Sequence, residues 1–381
     1  MITRTKSLAG VALLASAAFV LTACAATEEA AVEETTTAAT EEAVEVSSLS
    51  GTLVGAGASS QGSAQEAWVA GFQTANPDVT VTYDPIGSGG GRETFQSGAS
   101  SFAGSDRAFK VDEITEGPFG SCVEEAGIWE IPAYISPIAI IFNLEGISTL
   151  NLDADTLAQI FTGEITNWND AAIASQNAGV DLPDLSITAV HRSDESGTTA
   201  NFTDYMSKAS TDFWLLAGEN AGSFEAWPAE WGGEGAPQTS GVVDAVTNGT
   251  GTIGYADASR AGSLGTVSVK VGSEYVPYSA EAAAKIVDAS PAANPGERGD
   301  NDLAIELDRA TEASGTYPIV LVSYLIGCND YADDSVVDLV KGYVSYVVSE
   351  EGQLAAQANA GNAPISADSR AKSEAILASI K

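Results

Sequence analysis

The stretch Thr52–Gly87, TLVGAGASSQGSAQEAWVAGFQTANPDVTVTYDPIG, decides the fold class of this chain. It begins with a short apolar run, after which Ala64, Trp68 and Phe72 recur at a four-residue spacing typical of one helix face. An Asn-Pro pair ends that helix, and the run VTVTYDPIG follows it. The stretch therefore predicts a strand, a helix and a second strand.

The same alternation continues along the rest of the chain. The segments WEIPAYISPIAIIFN, LSITAVHR and YPIVLVSYLIG are predicted strands, because they are apolar and rich in β-branched or aromatic residues. DADTLAQIFTGE, with Asp153 or Asp155 near its start, and DSVVDLVKGYVSYVVS have the periodicity of helices. We therefore expect an α/β fold with mainly parallel sheets, and about 330 residues are long enough for two domains.

The N-terminal region has the features of an export signal. Arg4 and Lys6 precede an apolar run that ends in Leu21–Cys24, LTAC, which resembles a bacterial lipobox. We expect residues 1–23 to be removed and Cys24 to carry a lipid; an ordinary cleavage site with an incidental cysteine is the alternative. The apolar run is too short for a stable membrane span, so the expected protein is exported and lipid-anchored to the outer face of the cell membrane.

Residues 24–50 are predicted to form an acidic tether, because positions 25–48 contain only Ala, Val, Thr, Ser and Glu. The formal charge of -36 becomes -38 when the two positive charges of Arg4 and Lys6 leave with the signal. Nucleic acid and anionic lipid surfaces are therefore poor partners. A small anion remains admissible, since the screening length at physiological salt is about 8 Å and pocket contacts outweigh distant charge.

The cysteine and histidine content limits redox and metal chemistry. Beyond Cys24 the chain contains only Cys122 and Cys328. In an exported protein a bridge between them is predicted, and two buried free thiols are the alternative. The single histidine, His191, and the absence of a Cys-x-x-Cys pair argue against a zinc site. We expect neither a metal nor a cofactor.

Three Gly/Ser-rich loops follow predicted strands and precede predicted helices, at Val54–Gly62, Ile86–Glu93 and Arg192–Thr199. Helix N-termini offer unpaired N–H groups to an oxyanion, so each loop is a candidate anion site, although similar turns begin ordinary helices. The first loop departs from the dinucleotide fingerprint G-x-G-x-x-G, since Ser60 stands at the third glycine. The P-loop pattern G-x-x-x-x-G-K-[ST] does not occur, so nucleotide binding is not predicted.

Asp106, in the segment FAGSDRAF, is a further candidate. An aspartate in such a position is usually a helix cap or an ion-pair partner, here of Arg107. A carboxylate is also useful in a phosphate pocket, because phosphate at neutral pH still carries a proton that only an acceptor can satisfy.

The segments GAGAS, IGSGGG, GSDRAF and VHRSDESGTTANF, in this order, resemble the periplasmic phosphate-binding protein of the ABC-type phosphate importer. LAQIFTGEITNWND and TNGTGTIGYAD extend the similarity over nearly all of residues 51–381. The resemblance implies a two-lobed periplasmic-binding-protein fold with mixed, mainly parallel sheets and a two-strand hinge. Lobe I would combine 51–137 with 318–381, including both Cys122 and Cys328, and lobe II would be 138–317.

The resemblance also implies a phosphate site, in which Asp194 holds the guanidinium of Arg192. The implied phosphate contacts are Ser59, Ser60, Ser88, Asp106, Arg192, Ser196, Gly197 and Thr198. Many relatives have Thr-Phe where this chain has Ser59 and Ser60, so at Ser60 only a backbone N–H contact carries over. Glu195 is commonly Gly in the family, and we expect its side chain to point outward. The implied partners are phosphate and the permease subunits, and the implied state is a monomer.

Other functions compete with phosphate binding. A hydrolase or secreted phosphatase would use Ser196 as nucleophile, His191 as base and Asp194 to orient it, but no G-x-S-x-G elbow occurs. A binder of sulfate or molybdate would share the helix N-termini, and Asp106 is the residue that discriminates. A structural envelope protein is a third alternative. Trp227 and Trp231 are expected to pack in a loop, and a sugar-stacking surface is the alternative.

Overall fold

The computed structural model describes residues 49–210 and 222–381, so the predicted signal, Cys24 and positions 24–48 of the tether lie outside the described residues. The strands are β1 (Gly51–Gly57), β2 (Val79–Asp84), β3 (Phe102–Ser105), β4 (Ile128–Phe142), β5 (Thr149–Leu152), β6 (Thr188–Arg192), β7 (Glu234–Ala236), β8 (Thr252–Asp257), β9 (Gly265–Val271), β10 (Glu274–Val276) and β11 (Val320–Cys328). The helices are α1 (Gly62–Ala75), α2 (Ser88–Gln96), α3 (Val111–Glu116), α4 (Ala154–Phe161), α5 (Ala171–Gln176), α6 (Gly197–Ala209), α7 (Gln238–Asn248), α8 (Ala280–Ala289), α9 (Val337–Val348), α10 (Glu350–Ala360) and α11 (Ala367–Ser379). None of these described helices has both the length and the apolar character needed to cross a membrane.

The elements predicted from periodicity are present. The opening stretch forms β1, α1 and β2, and the helix buries Ala64, Trp68 and Phe72 on one face. Asp153 caps α4, because its side chain accepts a hydrogen bond from Thr156 N at 2.9 Å. The long apolar runs form β4 and β11, which are buried along their whole length. Local sequence therefore fixed these elements.

The strands form one curled, mixed sheet in the order β2-β1-β3-β11-β4-β8-β6-β7. The remaining strands are attached through β9, which pairs with β4, β5 and β10. β4 divides this sheet into two parts. Its residues 128–137 pair with β11, and its residues 138–142 pair with β8 and β9. The sheet is mixed as expected, but it is not mainly parallel: among the described strands five pairings are parallel and five antiparallel, because β11 and β4 run antiparallel to the strands beside them. The parallel strands β2, β1 and β3 turn their carboxyl ends to the same edge.

The predicted bridge between Cys122 and Cys328 is present, with a Cα–Cα distance of 5.2 Å. It ties the end of β11 to the loop before β4, across 206 residues of sequence.

The predicted packed loop around Trp227 and Trp231 is also present, since their ring centroids lie 5.2 Å apart and Trp231 is buried. Trp227 also packs edge-to-face on Phe161 of α4.

Candidate functional site

The residues of the predicted anion loops lie at the carboxyl ends of strands. The first loop follows β1, Asp106 follows β3 directly, and Arg192 is the last residue of β6. A short 3-10 turn, Ser59–Gln61, leads into α1, while α2 begins at Ser88 and α6 at Gly197. Helix N-termini carry unpaired N–H groups and partial positive charge, so this edge of the sheet favours an anion.

The buried carboxylate of Asp106 connects three of the elements around the site. Its Oδ1 accepts hydrogen bonds from Ser60 Oγ at 2.5 Å and from Ser323 Oγ at 2.6 Å. Its Oδ2 accepts one from Thr198 Oγ1 at 2.9 Å. The donors come from the turn before α1, from β11 and from the first turn of α6. Asp106 is therefore a shared acceptor that joins both parts of the sheet.

The backbone around Asp106 is packed just as closely. Asp106 N donates to Ser88 Oγ at 3.1 Å, and Asn201 Nδ2 donates to the carbonyl of Asp106 at 2.6 Å. A Cβ at Gly197 would approach Ser88 Oγ to 2.5 Å, so only glycine allows α6 to begin this close to α2. The structure thus brings Ser60, Ser88, Asp106, Gly197 and Thr198 into direct contact.

Opposing influences act on the ionisation of Asp106. Burial raises its pKa above the ordinary value for aspartate, because a charge is poorly solvated in the interior. The hydrogen bonds from Ser323, Ser60 and Thr198, and then the charge of Arg192, act to lower the same pKa. These donors therefore favour the ionised form, which can only accept hydrogen bonds.

Arg192 is the buried cation of the site. Its side chain is 3% exposed, and Nε donates to Asp194 Oδ1 at 2.8 Å while Nη2 donates to Asp194 Oδ2. These bonds use two of the five N–H donors of a guanidinium, which leaves the others for an anion. Gln238 N at the start of α7 also donates to Asp194, and the pKa of Asp194 is lowered by Arg192 against the effect of burial. The paired contact with Asp194 therefore fixes the orientation of the Arg192 guanidinium.

The hydroxyls of two predicted ligand residues already make hydrogen bonds within the protein. Ser59 Oγ accepts from Thr239 N at 3.1 Å and lies 3.0 Å from Thr239 Oγ1, so its hydroxyl links the first loop to α7. Ser196 caps α6, because its Oγ accepts from Thr199 N at 3.1 Å. The hydroxyl proton of Ser196 is left for another acceptor.

The arrangement does not assemble the competing catalytic triad within the described residues. His191 Nδ1 lies 2.8 Å from the carbonyl of Arg192, and the ring stacks on Trp227 with centroids 5.0 Å apart. Asp194 accepts from Arg192 and is therefore not the residue that orients the His191 ring. His191 and Arg192 lie on opposite faces of β6, since side chains alternate along a strand.

Glu195 is exposed, and its side chain lies close to Gly89 of α2. A second acidic residue, Glu225, has a role that the sequence did not indicate. Its Oε2 accepts from Arg92 Nη2 at 2.6 Å and from Arg107 Nε at 2.8 Å. Burial acts to raise the pKa of Glu225, but the charges of the two arginines and their hydrogen bonds outweigh it, so the pKa lies below its ordinary value. This ion pair network links the segment after α6 to α2 and to the loop after β3.

Sequence reasoning missed several residues of the site. Ser323 lies in the middle of an apolar strand, 217 positions from Asp106, and its single hydroxyl gave no local signal. Tyr255 OH lies 2.8 Å from Thr199 Oγ1 and accepts from Arg192 N at 3.3 Å. This tyrosine lies in the segment TNGTGTIGYAD, which resembles the phosphate-binding family but carries no local pattern that indicates a role for the phenol. Among the described residues, no group of His, Cys, Asp and Glu is arranged to hold a metal ion.

The site combines a fixed guanidinium, three helix starts and one carboxylate, which suits a small oxyanion that carries a proton. A mixed α/β sheet joined through long shared strands, with this site at the strand ends, is a fold of the two-lobed binding-protein class. A PBP superfamily domain matches residues 30–351. The phosphate-binding protein PstS 3 of Mycobacterium tuberculosis is 33% identical over 347 residues, covering 89% of this chain and 90% of that protein.

PstS 2 of the same organism is 32% identical over 352 residues, which is 90% of each chain. Among solved structures, PfluDING, a high affinity periplasmic phosphate-binding protein bound with phosphate, is similar with a TM-score of 0.66 at 21% identity. That similarity covers 85% of this chain and 93% of PfluDING, and it supports the fold. The chain belongs to the PBP superfamily and, within it, to the family of the PstS phosphate-binding proteins.

Proposed function

We propose that this protein binds inorganic phosphate and delivers it to an ABC-type phosphate permease. Its relatives with 33% and 32% identity are named for phosphate binding. They match it over nearly their whole length, so the proposal rests on whole proteins and not on a shared fragment.

The observation that carries the proposal is the number of acceptor positions left on Asp106. A carboxylate offers about four lone-pair positions. Ser60 and Ser323 use both positions of Oδ1, and Thr198 uses one of Oδ2. One position remains for a ligand, and it can only accept. A ligand that donates one proton and otherwise accepts hydrogen bonds fits this pocket, and phosphate at neutral pH has that property.

The remaining contacts follow from the helix starts and from Arg192. In this proposal Arg192, Ser88, Ser196, Gly197 and Thr198 donate to phosphate oxygens through side chains or backbone N–H groups. Ser59 and Ser60 contribute backbone N–H groups, since their hydroxyls contact Thr239 and Asp106. Asp194 supports Arg192 and does not touch the ligand.

The lobes and hinge belong to the same proposal. Lobe I would comprise 51–137 with 318–381, and lobe II would comprise 138–317, so that β4 and the segment leading into β11 form the crossovers. Closure would then bring Asp106 of lobe I against Thr198 of lobe II, at the 2.9 Å distance between their side-chain oxygens. Two-strand connections permit this kind of hinge motion.

We further propose that the chain is exported, anchored through a lipid on Cys24 and monomeric, and that it transports its ligand without chemical change. The pairing of Asp194 with Arg192 and the stacking of His191 on Trp227 support a binding protein over a hydrolase. Incubation with a chromogenic phosphomonoester tests this directly. Turnover above background, abolished by Ser196→Ala, would contradict it.

Calorimetry of the purified chain from residue 49 onward, against phosphate, sulfate and molybdate, tests the ligand. We expect tight binding of phosphate and sulfate affinity lower by far more than tenfold, the ratio that about 1.4 kcal/mol represents. Equal affinity for phosphate and sulfate would reject the proposal. Tighter binding of molybdate would favour the other oxyanion class.

A further inference from the structure

The hydrogen bonds behind Asp106 form a buried chain that ends at its carboxylate. Tyr343 OH of α9 donates to Gln65 Oε1 at 2.6 Å, and Gln65 Nε2 donates to Gln61 Oε1 at 2.8 Å. Gln61 Nε2 donates to Ser323 Oγ at 2.7 Å, and Ser323 Oγ donates to Asp106 Oδ1 at 2.6 Å. The four donors are between 0% and 2% exposed.

The direction of these bonds is fixed by groups that can only accept. Gln61 Nε2 also donates to the backbone carbonyl of Tyr324 at 3.1 Å, so the nitrogen of this amide must face β11. The Gln61 oxygen then faces Gln65, whose amide must donate to it. An ionised Asp106 can only accept, so Ser323 must donate to it. Every proton in the chain therefore points toward Asp106.

A local irregularity of β11 places Ser323 at this position. The pairing of β11 with β4 shifts register between Ser323 and Tyr324. Such bulges commonly re-aim a side chain near a functional site. On the opposite side of β11, Tyr324 pairs with Ser105 of β3, which brings Ser323 next to Asp106.

We propose that Ser323, held by Gln61, is a positioning residue that keeps Asp106 a pure acceptor and so strengthens the preference for an oxyanion that carries a proton. The inference rests on the proposed function and assigns a new role within that site. Ser323 acts through Asp106 and does not touch the ligand. Ser60 donates to the same oxygen, so this chain places two hydroxyls on one carboxylate oxygen.

The charged and titratable groups around Asp106 leave room for Ser323 to influence the ionisation of this carboxylate. Arg192 of β6 is the cation that acts on it, and Tyr83 of β2 is the nearby phenol, with a pKa raised first by burial and then by Asp106. Arg107 is its sequence neighbour, but that guanidinium donates to Glu113 and Glu225. Donors to a carboxylate lower its pKa, so loss of the Ser323 hydroxyl shifts Asp106 toward its protonated form.

The test compares phosphate and sulfate affinity of the Ser323→Ala chain across a range of pH. Protonated Asp106 can donate to sulfate, so protonation weakens discrimination between the two anions. We expect the pH below which discrimination falls to rise by about one unit in the variant, equivalent to a tenfold change in proton affinity. Near pH 8, the ratio of affinities is expected to stay within about threefold of the original.

The substitution removes the hydroxyl that donates to Asp106, and it also removes one of the two acceptors of Gln61 Nε2. The other acceptor, the Tyr324 carbonyl, remains and keeps the Gln61 amide in place. Ser323→Thr retains a hydroxyl and is expected to restore the original pH profile. Ser373→Ala is the matched control, because Ser373 is also fully buried but donates to a carbonyl within α11. Should Ser323→Ala fail to fold, Ser323→Cys carries the same test, since a thiol is a weak donor.

The outcomes separate this inference from the proposed function. An original chain that does not bind phosphate rejects the proposed function. An original chain that prefers phosphate, together with a Ser323→Ala profile that coincides with it, rejects the role of Ser323 alone. An equally large shift of the pH profile in Ser373→Ala would also reject the role of Ser323, because the shift would then come from a general loss of packing in the fold.

Discussion

The substitution Asp106→Asn tests the central claim about selectivity. Thr198 uses one lone-pair position of Asp106 Oδ2. In the proposed site the other position accepts the proton of the ligand. The amide keeps an oxygen that can accept from Ser60 and Ser323, while its NH2 group takes the place of Oδ2. The Thr198 hydroxyl can rotate to accept from it, so the fold should tolerate the change.

The magnitude follows from two opposite effects. For phosphate, the variant loses a charge-assisted hydrogen bond, worth about 1.5 to 3 kcal/mol, or roughly tenfold to a hundredfold in affinity. For sulfate, the variant removes a negative charge at contact distance and supplies a donor, which we expect to improve affinity by about 1 kcal/mol or more. The phosphate-to-sulfate ratio should therefore fall by at least about sixtyfold, the factor that about 2.5 kcal/mol represents.

Calorimetric titration with both anions at neutral pH measures this ratio. Asp84→Asn, which removes the same charge from an exposed residue at the end of β2, is the control and should leave the ratio unchanged. A ratio in Asp106→Asn that stays within about threefold of the original would refute the assignment of Asp106 as acceptor of the ligand proton.

Further predictions address the cation, the disulfide and a second buried carboxylate. Arg192→Ala should weaken phosphate binding by at least about 2 kcal/mol, roughly thirtyfold, as for a truncated buried charge; unchanged calorimetric affinity would exclude Arg192 from the site. Protein isolated without reductant should yield no thiol from Cys122 or Cys328 under denaturing conditions, and reduction should lower the free energy of unfolding by up to about 5 kcal/mol, measured by urea titration. Burial raises the pKa of Asp257 to about 6, so its ionisation destabilises the folded chain as pH rises from the unfolded-state pKa toward that value. Asp257→Asn should therefore raise the free energy of unfolding by about 1 to 3 kcal/mol near pH 8 and by little near pH 4, and an equal gain at both would contradict this cause.

The sequence by itself determined the local elements and the loops that bear the site. The apolar periodicity of the opening stretch gave β1, α1 and β2, and the Gly/Ser loops marked the helix starts, because both signals depend on neighbours a few residues away. The disulfide between Cys122 and Cys328 could also be predicted from the sequence, since an exported chain with only two cysteines beyond Cys24 offers few other pairings.

Tertiary structure decided which side chains meet at Asp106. Ser60 lies 46 residues from it in sequence, Thr198 lies 92 and Ser323 lies 217. Such contacts depend on strand order and on the register of β11, including its irregularity at Ser323. Local sequence patterns indicate neither the strand order nor the register, because a serine in an apolar strand has the same neighbours in sequence whether its hydroxyl contacts a carboxylate or a carbonyl. The acceptor count that favours phosphate is therefore a property of the folded chain alone.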